Sequence, residues 1–136
     1  MRKFLLLLVA FLLSGCTAIE VPALSDDRGA LTSINRVQIG MTESDVRTIM
    51  GDRLKIGYQE TQPDSGIIEN ISIPSPYKTE DLKIKGKVYR ILYYYTKVMK
   101  SDGLIADDEL TPLIFQNNKL VGKGEDSIAN LRRQLQ

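Results

Sequence analysis

The stretch Ile39–Gly51, IGMTESDVRTIMG, contains signals for both the beginning and the end of one short helix. Thr42 is a favourable N-cap residue, and Asp45 three positions later gives a weaker variant of the capping box. Gly51 stands where a helix commonly ends. Apolar residues at helical spacing would form one buried face: Val46, Ile49 and Met50. The pattern predicts a helix over 43–50 that packs through this face.

Alternating apolar and polar residues after this helix predict strands. One covers 54–58, and the strongest covers 88–98, where both strand faces carry apolar side chains. Apolar content on both faces is typical of a central strand. A further strand is expected at 110–116, where Pro112 indicates an edge strand or a strand start.

The sequence after residue 116 contains signals for a turn and for the start of a helix. Asn117 and Asn118 tolerate positive φ, which predicts a tight hairpin into 119–121. Asp126 or Ser127 could cap a C-terminal helix with one apolar edge, formed by Ile128, Leu131 and Leu135. The segment 61–87 instead reads as a long middle loop, because Pro63, Pro74 and Pro76 interrupt its isoleucines. A short strand near Ile71 stays an alternative there.

The N-terminus carries a motif of membrane attachment. Arg2 and Lys3 precede an apolar run over 4–13 that has signal-peptide length and is too short to span a bilayer. The motif itself is Leu13-Ser14-Gly15-Cys16. It resembles the lipobox of bacterial lipoproteins, which implies that Cys16 is lipidated at sulfur and becomes the first residue after cleavage. A buried structural cysteine is the alternative.

Length and charge set the domain organisation. Residues 1–15 would be the lipoprotein signal peptide, 16–30 a lipidated tether and 31–136 one small domain. Of the 18 basic and 17 acidic residues, two basic ones lie in the signal peptide, so 16 basic and 17 acidic residues remain. No basic stripe stands out, so we expect no nucleic-acid partner.

The composition restricts the chemistry open to this chain. It contains no His, no Trp and a single Cys. A Ser-His-Asp triad and a zinc site built on His or Cys are therefore excluded. Because only carboxylate, Lys, Tyr and Ser/Thr chemistry remains, we expect no enzyme activity, no metal and no cofactor beyond the covalent lipid.

Two groups of residues are candidates for partner binding. Tyr89, Tyr93 and Tyr95 share one face of the 88–98 strand, where they could contact a partner or cover the sheet. An acidic patch follows that strand and includes Asp102, Asp107 and Asp108. A solvated loop, a partner-facing patch and a metal-binding or catalytic carboxylate pair in the 107–109 region are the alternatives for it.

The helical signature Ile39–Val46, closed by Gly51, resembles that of the SmpA/OmlA/BamE lipoprotein family. The second half is similar to a related group of uncharacterised bacterial lipoproteins, and the residues that carry this are Tyr93-Tyr94-Tyr95-Thr96, Ser101-Asp102-Gly103, Asp107–Leu113, Phe115 and Lys119–Gly122. The resemblance implies an α+β domain with two short N-terminal helices packed on a three-stranded antiparallel sheet. It also implies attachment to the outer membrane on the periplasmic side, and Thr17 in place of Asp is consistent with outer-membrane sorting.

These observations lead to one functional expectation and two alternatives. We expect a non-enzymatic lipoprotein held by outer-membrane lipid through its anchor. It would bind envelope proteins as an accessory or scaffold, with the barrel-assembly machinery as the candidate partner that the resemblance suggests. The first alternative is an inhibitor or sensor of a periplasmic hydrolase, and the second is a carboxylate-dependent hydrolase.

Overall fold

The computed structural model describes residues 32–99 and 104–135. These residues form two α-helices and two 3₁₀ turns, namely α1 (Glu43–Met50), α2 (Glu125–Arg133) and the turns Ile34–Arg36 and Asp107–Glu109. They also form six strands: β1 (Arg53–Glu60), β2 (Ile68–Pro74), β3 (Lys78–Ile84), β4 (Lys87–Tyr95), β5 (Leu110–Gln116) and β6 (Lys119–Lys123).

The strands form two antiparallel sheets rather than one. β3, β4, β5 and β6 lie in that order in a four-stranded sheet, and β1 pairs with β2 in a separate two-stranded sheet. Helix α1 packs on one face of the larger sheet and α2 on the other. The expected fold, two N-terminal helices on a three-stranded sheet, is therefore wrong: six strands are present and the second α-helix is C-terminal.

The error arose in 61–87, which is not a long loop. Its prolines do not interrupt the strands: Pro63 lies in the turn after β1, Pro74 ends β2, and Pro76 lies between β2 and β3. β3 was missed because it is a polar edge strand, in which Leu82 and Ile84 are the inward-facing apolar residues. The alternative of a strand near Ile71 is confirmed by β2.

The capped helix α1 is confirmed in detail. Asp45 N donates to Thr42 Oγ1 at 3.1 Å, and Thr42 N donates to Asp45 Oδ2 at 3.1 Å, which completes the capping box. Gly51 follows the helix at φ 75°. Ahead of the helix, Gly40 N donates to Leu120 O and Leu120 N to Met41 O, both at 2.8 Å. These bonds attach the start of α1 to the β6 edge of the sheet.

The central position of β4 is also confirmed, since β3 and β5 flank it. One of its faces contributes to the first core cluster, which lies under α1: Ile34, Val37, Val46, Met50, Leu92, Tyr94, Leu113, Phe115 and Leu120. The other face contributes to the second cluster, under α2: Ile84, Ile91, Tyr93, Leu110, Ile114, Ile128 and Leu131. The domain therefore has helices on both faces of its main sheet.

The turn and cap predictions around β5 and β6 are confirmed only in part. Asn117 and Asn118 have φ 49° and 60°, as a tight hairpin requires. Pro112 does not mark an edge, because β5 lies between β4 and β6, although pairing with β6 begins only at Leu113. The N-cap of α2 is Gly124 at φ 88°.

The apolar edge of α2 is shorter than expected. Ile128 and Leu131 are buried, but Leu135 is exposed. Within 32–99 and 104–135, neither helix is long and apolar enough to cross a membrane.

Candidate functional site

The tyrosine face of β4 is covered by the C-terminal helix. Tyr93 is only 8% exposed, and Tyr89 and Tyr95 pack against the cluster beneath α2. Of the two alternatives for these tyrosines, a partner contact or a cover of the sheet, the packing of α2 over this face favours the second. The other predicted residues, Leu13, Ser14, Gly15, Cys16 and Asp102, lie outside the described residues.

A cleft of about 330 Å³ opens where α2 meets the end of β4. It brings together three of the residues singled out from the sequence, Tyr93, Asp107 and Asp108. Five residues that the sequence analysis did not combine with them complete its lining: Lys78, Lys97, Glu125, Ile128 and Arg132. We call this group the Tyr93 cleft.

A three-way hydrogen-bonded contact supports the wall of the Tyr93 cleft, since it joins the lining residues Tyr93 and Arg132 to Glu80. Tyr93 Oη donates to Glu80 Oε2 at 2.6 Å, and Arg132 Nη2 donates to both of these oxygens at 3.0 Å. The Lys78 Nζ lies 5.1 Å from the centroid of the Tyr93 ring, within cation–π range. The contact joins β3, β4 and α2, so the wall is held by three elements.

Two side chains of this contact, Tyr93 and Glu80, have shifted pKa values. Burial raises the pKa of Tyr93, and its hydrogen bond to Glu80 raises it further. The pKa of Glu80 is lowered, mainly by the hydrogen bond from Tyr93 and also by Arg132. Near neutral pH, Tyr93 is therefore protonated and Glu80 is ionised, so neither side chain readily exchanges a proton there.

The rim of the Tyr93 cleft carries charged side chains of both signs. Lys78, Lys97 and Arg132 are exposed cations, and Asp107, Asp108 and Glu125 are exposed carboxylates. Complementary charges at a contact surface contribute chiefly to specificity and to the rate of association. The arrangement suits a ligand that carries charges of both signs.

The acidic patch splits into an outward and an inward part. Asp107 and Asp108 are exposed, whereas Glu109 is only 1% exposed. The Glu109 carboxylate accepts hydrogen bonds from the backbone N–H of Met99 at 2.7 Å and of Ala106 at 3.1 Å. Glu109 thus holds the chain after β4 to the turn before β5, which is a structural role.

The family comparison covers most of this architecture. Residues 25–130 match the model of a family described as a protein of unknown function, DUF3192. The chain belongs to this family. No curated protein and no solved structure gives a significant match. The DUF3192 match includes both sheets and every residue that lines the Tyr93 cleft except Arg132.

Sequence reasoning missed the basic half of this DUF3192 site. Lys78 lies in the segment 61–87 that was expected to be a long loop, and Arg132 lies on the expected C-terminal helix outside its apolar edge. A signal was present for Arg132, because it follows the buried Leu131 and so lies beside the apolar edge of its helix. None was available for Lys78, since its position depends on the pairing of β3 with β4. In the described ranges, no cluster of three or more Asp, Glu, His or Cys residues could hold a metal ion.

Proposed function

We propose that this chain is a lipid-anchored binding protein of the cell envelope, attached to the outer membrane through Cys16, and that the Tyr93 cleft binds a charged segment of a partner protein. The observation that carries the proposal is the cleft rim, with cations and carboxylates placed around one largely buried tyrosine. The lipobox-like Leu13-Ser14-Gly15-Cys16 motif supports the anchoring.

The ionisation of the cleft favours binding over catalysis. General acid–base chemistry needs a group with a pKa near the working pH. The Tyr93 pKa is raised and the Glu80 pKa is lowered, so both move away from neutrality. Tyr93 also donates a hydrogen bond to Glu80, which fixes the wall of the cleft. The charged side chains of the rim are left to contact a ligand.

The form of the cleft favours a polypeptide ligand. A volume of about 330 Å³ is at the small end for sites that enclose small molecules. The charged rim residues are exposed, so a ligand would lie across the cleft without being enclosed by it. A short segment with basic and acidic side chains could meet both the carboxylates of Asp107 and Asp108 and the ammonium groups of Lys78 and Lys97.

Site-specific crosslinking of the full-length protein in its native envelope tests this proposal. A photoreactive residue in place of Lys97 should give defined protein adducts, identifiable by mass spectrometry. The same residue in place of Lys85 is the matched control, since Lys85 is an exposed lysine in the turn at the other end of β3. Asp107→Asn with Asp108→Asn should reduce the Lys97 adducts.

The identity of the adduct separates two versions of the function. Barrel-assembly subunits would support the role that the SmpA/OmlA/BamE resemblance suggests. A different envelope protein would keep the binding function and reject that role. Equal labelling from positions 97 and 85 would contradict binding at the cleft.

The anchor needs its own test, because it lies outside the described residues. Cells fed a labelled fatty acid should incorporate it into the wild-type protein and not into Cys16→Ala. Wild-type protein should fractionate with the outer membrane. A label that persists in the variant, or wild-type protein without label, would contradict lipidation at Cys16.

The inhibitor hypothesis remains a second candidate, favoured by the β1–β2 hairpin. Residues 59–71, which include the hairpin turn, are all exposed, and a projecting turn of this kind could enter the active site of a hydrolase. Stoichiometric inhibition of a periplasmic hydrolase by the full chain, lost when the turn residues Gln62–Gly66 are replaced, would support it. Undiminished hydrolase activity at a molar excess of the protein would reject it.

A further inference from the structure

We propose that the free edge of β2 pairs antiparallel with β2 of a second copy of this chain, so that two hairpins form one four-stranded sheet across a two-fold axis. This goes beyond the proposed function, since the edge of β2 shares no residue with the Tyr93 cleft.

Among the described residues, β2 is the edge strand with the least protection against pairing. β3 carries four charged residues, and β6 is bridged from outside by Thr42 at Lys119. β1 has an irregular register between Lys55 and Gly57. Charges, covering segments and bulges are the usual means of blocking an edge. Apart from its last residue, Pro74, β2 has only the charge of Glu69 and the Arg53 guanidinium, which bonds the Ser72 carbonyl.

Two hydrogen bonds at the ends of the hairpin show which backbone groups lie at the free edge. Thr61 N donates to Ile67 O at 3.0 Å, and Ser75 N donates to Asp52 O at 2.9 Å. In an antiparallel ladder, hydrogen-bonded and non-hydrogen-bonded pairs alternate. Both bonds therefore place the backbone N–H and C=O of one set of residues on the side away from β1: Ile68, Asn70 and Ser72.

One of these groups already has a partner. The Ser72 carbonyl accepts a hydrogen bond from the exposed Arg53 guanidinium at 3.1 Å. In the described part of the chain, no other hydrogen bond is seen at the outer side of Ile68 or Asn70. Such a row of backbone donors and acceptors is satisfied in protein by one kind of ligand, an extended strand.

The side chains of the hairpin also favour a wider sheet. Pairing places Leu54, Ile71 and Ile73 on one face, and Leu54 packs against the first core cluster. Ile71 is 37% exposed, and Ile68 on the opposite face is 66% exposed. A sheet of two strands is marginally stable, whereas three or more strands with an apolar face are stable. A second hairpin would extend this apolar face across the axis.

The charge distribution makes the hairpin complementary to itself. The carboxylates Glu60, Asp64 and Glu69 lie towards the turn, while Arg53 and Lys55 lie at the base, and residues 56–77 contain no Lys or Arg. Antiparallel pairing of two copies sets the acidic turn of each hairpin beside the basic base of the other. The same acidic turn disfavours an anionic lipid surface as the occupant of this edge.

The charges disfavour one register and allow the one that we propose. An axis at Glu69 would place two carboxylates directly opposite each other, which is destabilising. An axis at Ile71 pairs Ile71 with its copy, Asn70 with Ser72, and Glu69 with Ile73. The outward groups of Asn70 and Ser72 then form the hydrogen-bonded pair, and the two Ile71 side chains meet on the apolar face.

The pairing would be weak in dilute solution. One strand pair buries less than the roughly 1,200 Å² of a stable protein interface. Two copies held on one membrane would meet at a raised effective concentration. The experiment is therefore made in the native envelope with the full chain.

Disulfide crosslinking at the axis tests the proposal. Ile71→Cys should give a covalent dimer on mild oxidation, since Cβ atoms of a directly opposed non-hydrogen-bonded pair lie close together. Val121→Cys, at an exposed position on β6, is the matched control, and the wild type reports any crosslink through Cys16. We expect a dimer yield at least about five times that of Val121→Cys, because opposed Cβ atoms of a non-hydrogen-bonded pair lie at about 4.5 Å, close to the Cβ separation of a disulfide. Equal yields would overturn the proposal.

Two further measurements separate specific pairing from a folding defect. Differently tagged Asn70→Cys and Ser72→Cys copies, coexpressed, should form more heterodimer than either homodimer. Adding Asn70→Pro to Ile71→Cys removes an outward N–H and should therefore lower the dimer yield. Protease resistance should be unchanged, since proline is tolerated where an edge N–H faces solvent. A statistical mixture of homodimer and heterodimer, or a yield that Asn70→Pro does not change, would also overturn it.

Discussion

At the scale of single residues, neighbouring tyrosines on β4 face opposite sides of the sheet and differ in hydrogen bonding. Tyr93 donates to Glu80, whereas the Tyr94 hydroxyl has no hydrogen-bond partner among the residues that the structure describes. Tyr94 is 1% exposed, and burial raises its pKa to about 12. A buried polar group without a partner costs free energy, so this hydroxyl is a local defect in a well-packed face.

Tyr94→Phe should therefore leave the free energy of unfolding unchanged or raise it by up to about 1 kcal/mol, since a desolvated hydroxyl is removed and the ring is kept. Urea unfolding followed by circular dichroism measures this change. Tyr93→Phe is the control, and it should lower stability by about 1 kcal/mol because it removes a hydrogen bond to a charged group. A Tyr94→Phe variant destabilised by more than Tyr93→Phe would contradict this interpretation.

Glu80 should make stability depend on acid pH. Its pKa is lowered in the folded protein, chiefly by the hydrogen bond from Tyr93, so its stabilising contribution is present above its ordinary pKa near 4.5 and is lost as the pH falls through the folded value. At pH 7 the wild type should exceed Glu80→Gln by about 1 kcal/mol. The gap should close below about pH 4. A gap that is constant from pH 7 to 3 would show that ionised Glu80 is not responsible.

At the scale of elements, the sequence predicted those features of the fold that interactions between nearby residues determine. The ends of α1 could be read because Thr42, Asp45 and Gly51 act on their own backbone neighbours. The Asn117-Asn118 turn could be read for the same reason. Three of the eight residues that line the Tyr93 cleft, namely Tyr93, Asp107 and Asp108, could be singled out from their side-chain types.

The missed features depend on contacts between distant segments. β3 has few apolar residues and forms by pairing with β4, so periodicity alone could not reveal it. Helix α2 covers the tyrosine face through long-range packing, which no local pattern reports. Lys78 and Arg132 reach the cleft only through these two elements, and the sequence alone therefore did not point to them.

The close packing of α2 against β6 depends on Gly122. A Cβ atom there would lie 3.0 Å from Ile114 Cδ1 and 3.1 Å from Ser127 Cβ. Gly122→Ala should therefore push α2 from β6 and lower the free energy of unfolding by about 1 kcal/mol or more. Thermal unfolding measures the loss, and Ala in place of the exposed Val121 is the control. A Gly122→Ala variant as stable as the control would mean that helix and strand adjust without cost.

At the scale of the whole molecule, the two sheets differ in how they are held. The four-stranded sheet has a core cluster on each face, beneath α1 and α2. The β1–β2 sheet contacts the first cluster through Leu54, and its side chains Ile56, Tyr58 and Ile68 are exposed. Regions with few buried apolar contacts open locally at a lower free energy than the core. The hairpin should therefore open without unfolding of the main sheet.

Amide hydrogen exchange of the full chain, followed by mass spectrometry, should distinguish local opening of the hairpin from unfolding of the main sheet. Backbone amides of β1 and β2 should exchange at least about ten times faster than those of β4 and β5, since the hairpin opens at a lower free energy. Leu54→Ala should speed exchange in 53–74 and leave β4 unchanged, because Leu54 joins the hairpin to the first cluster. If Leu54→Ala accelerated exchange equally in β4, the hairpin and main sheet would form one cooperative unit. Slower exchange in β2 at higher protein concentration would be expected from pairing between two copies, because it covers the outward amides of Ile68, Asn70 and Ser72.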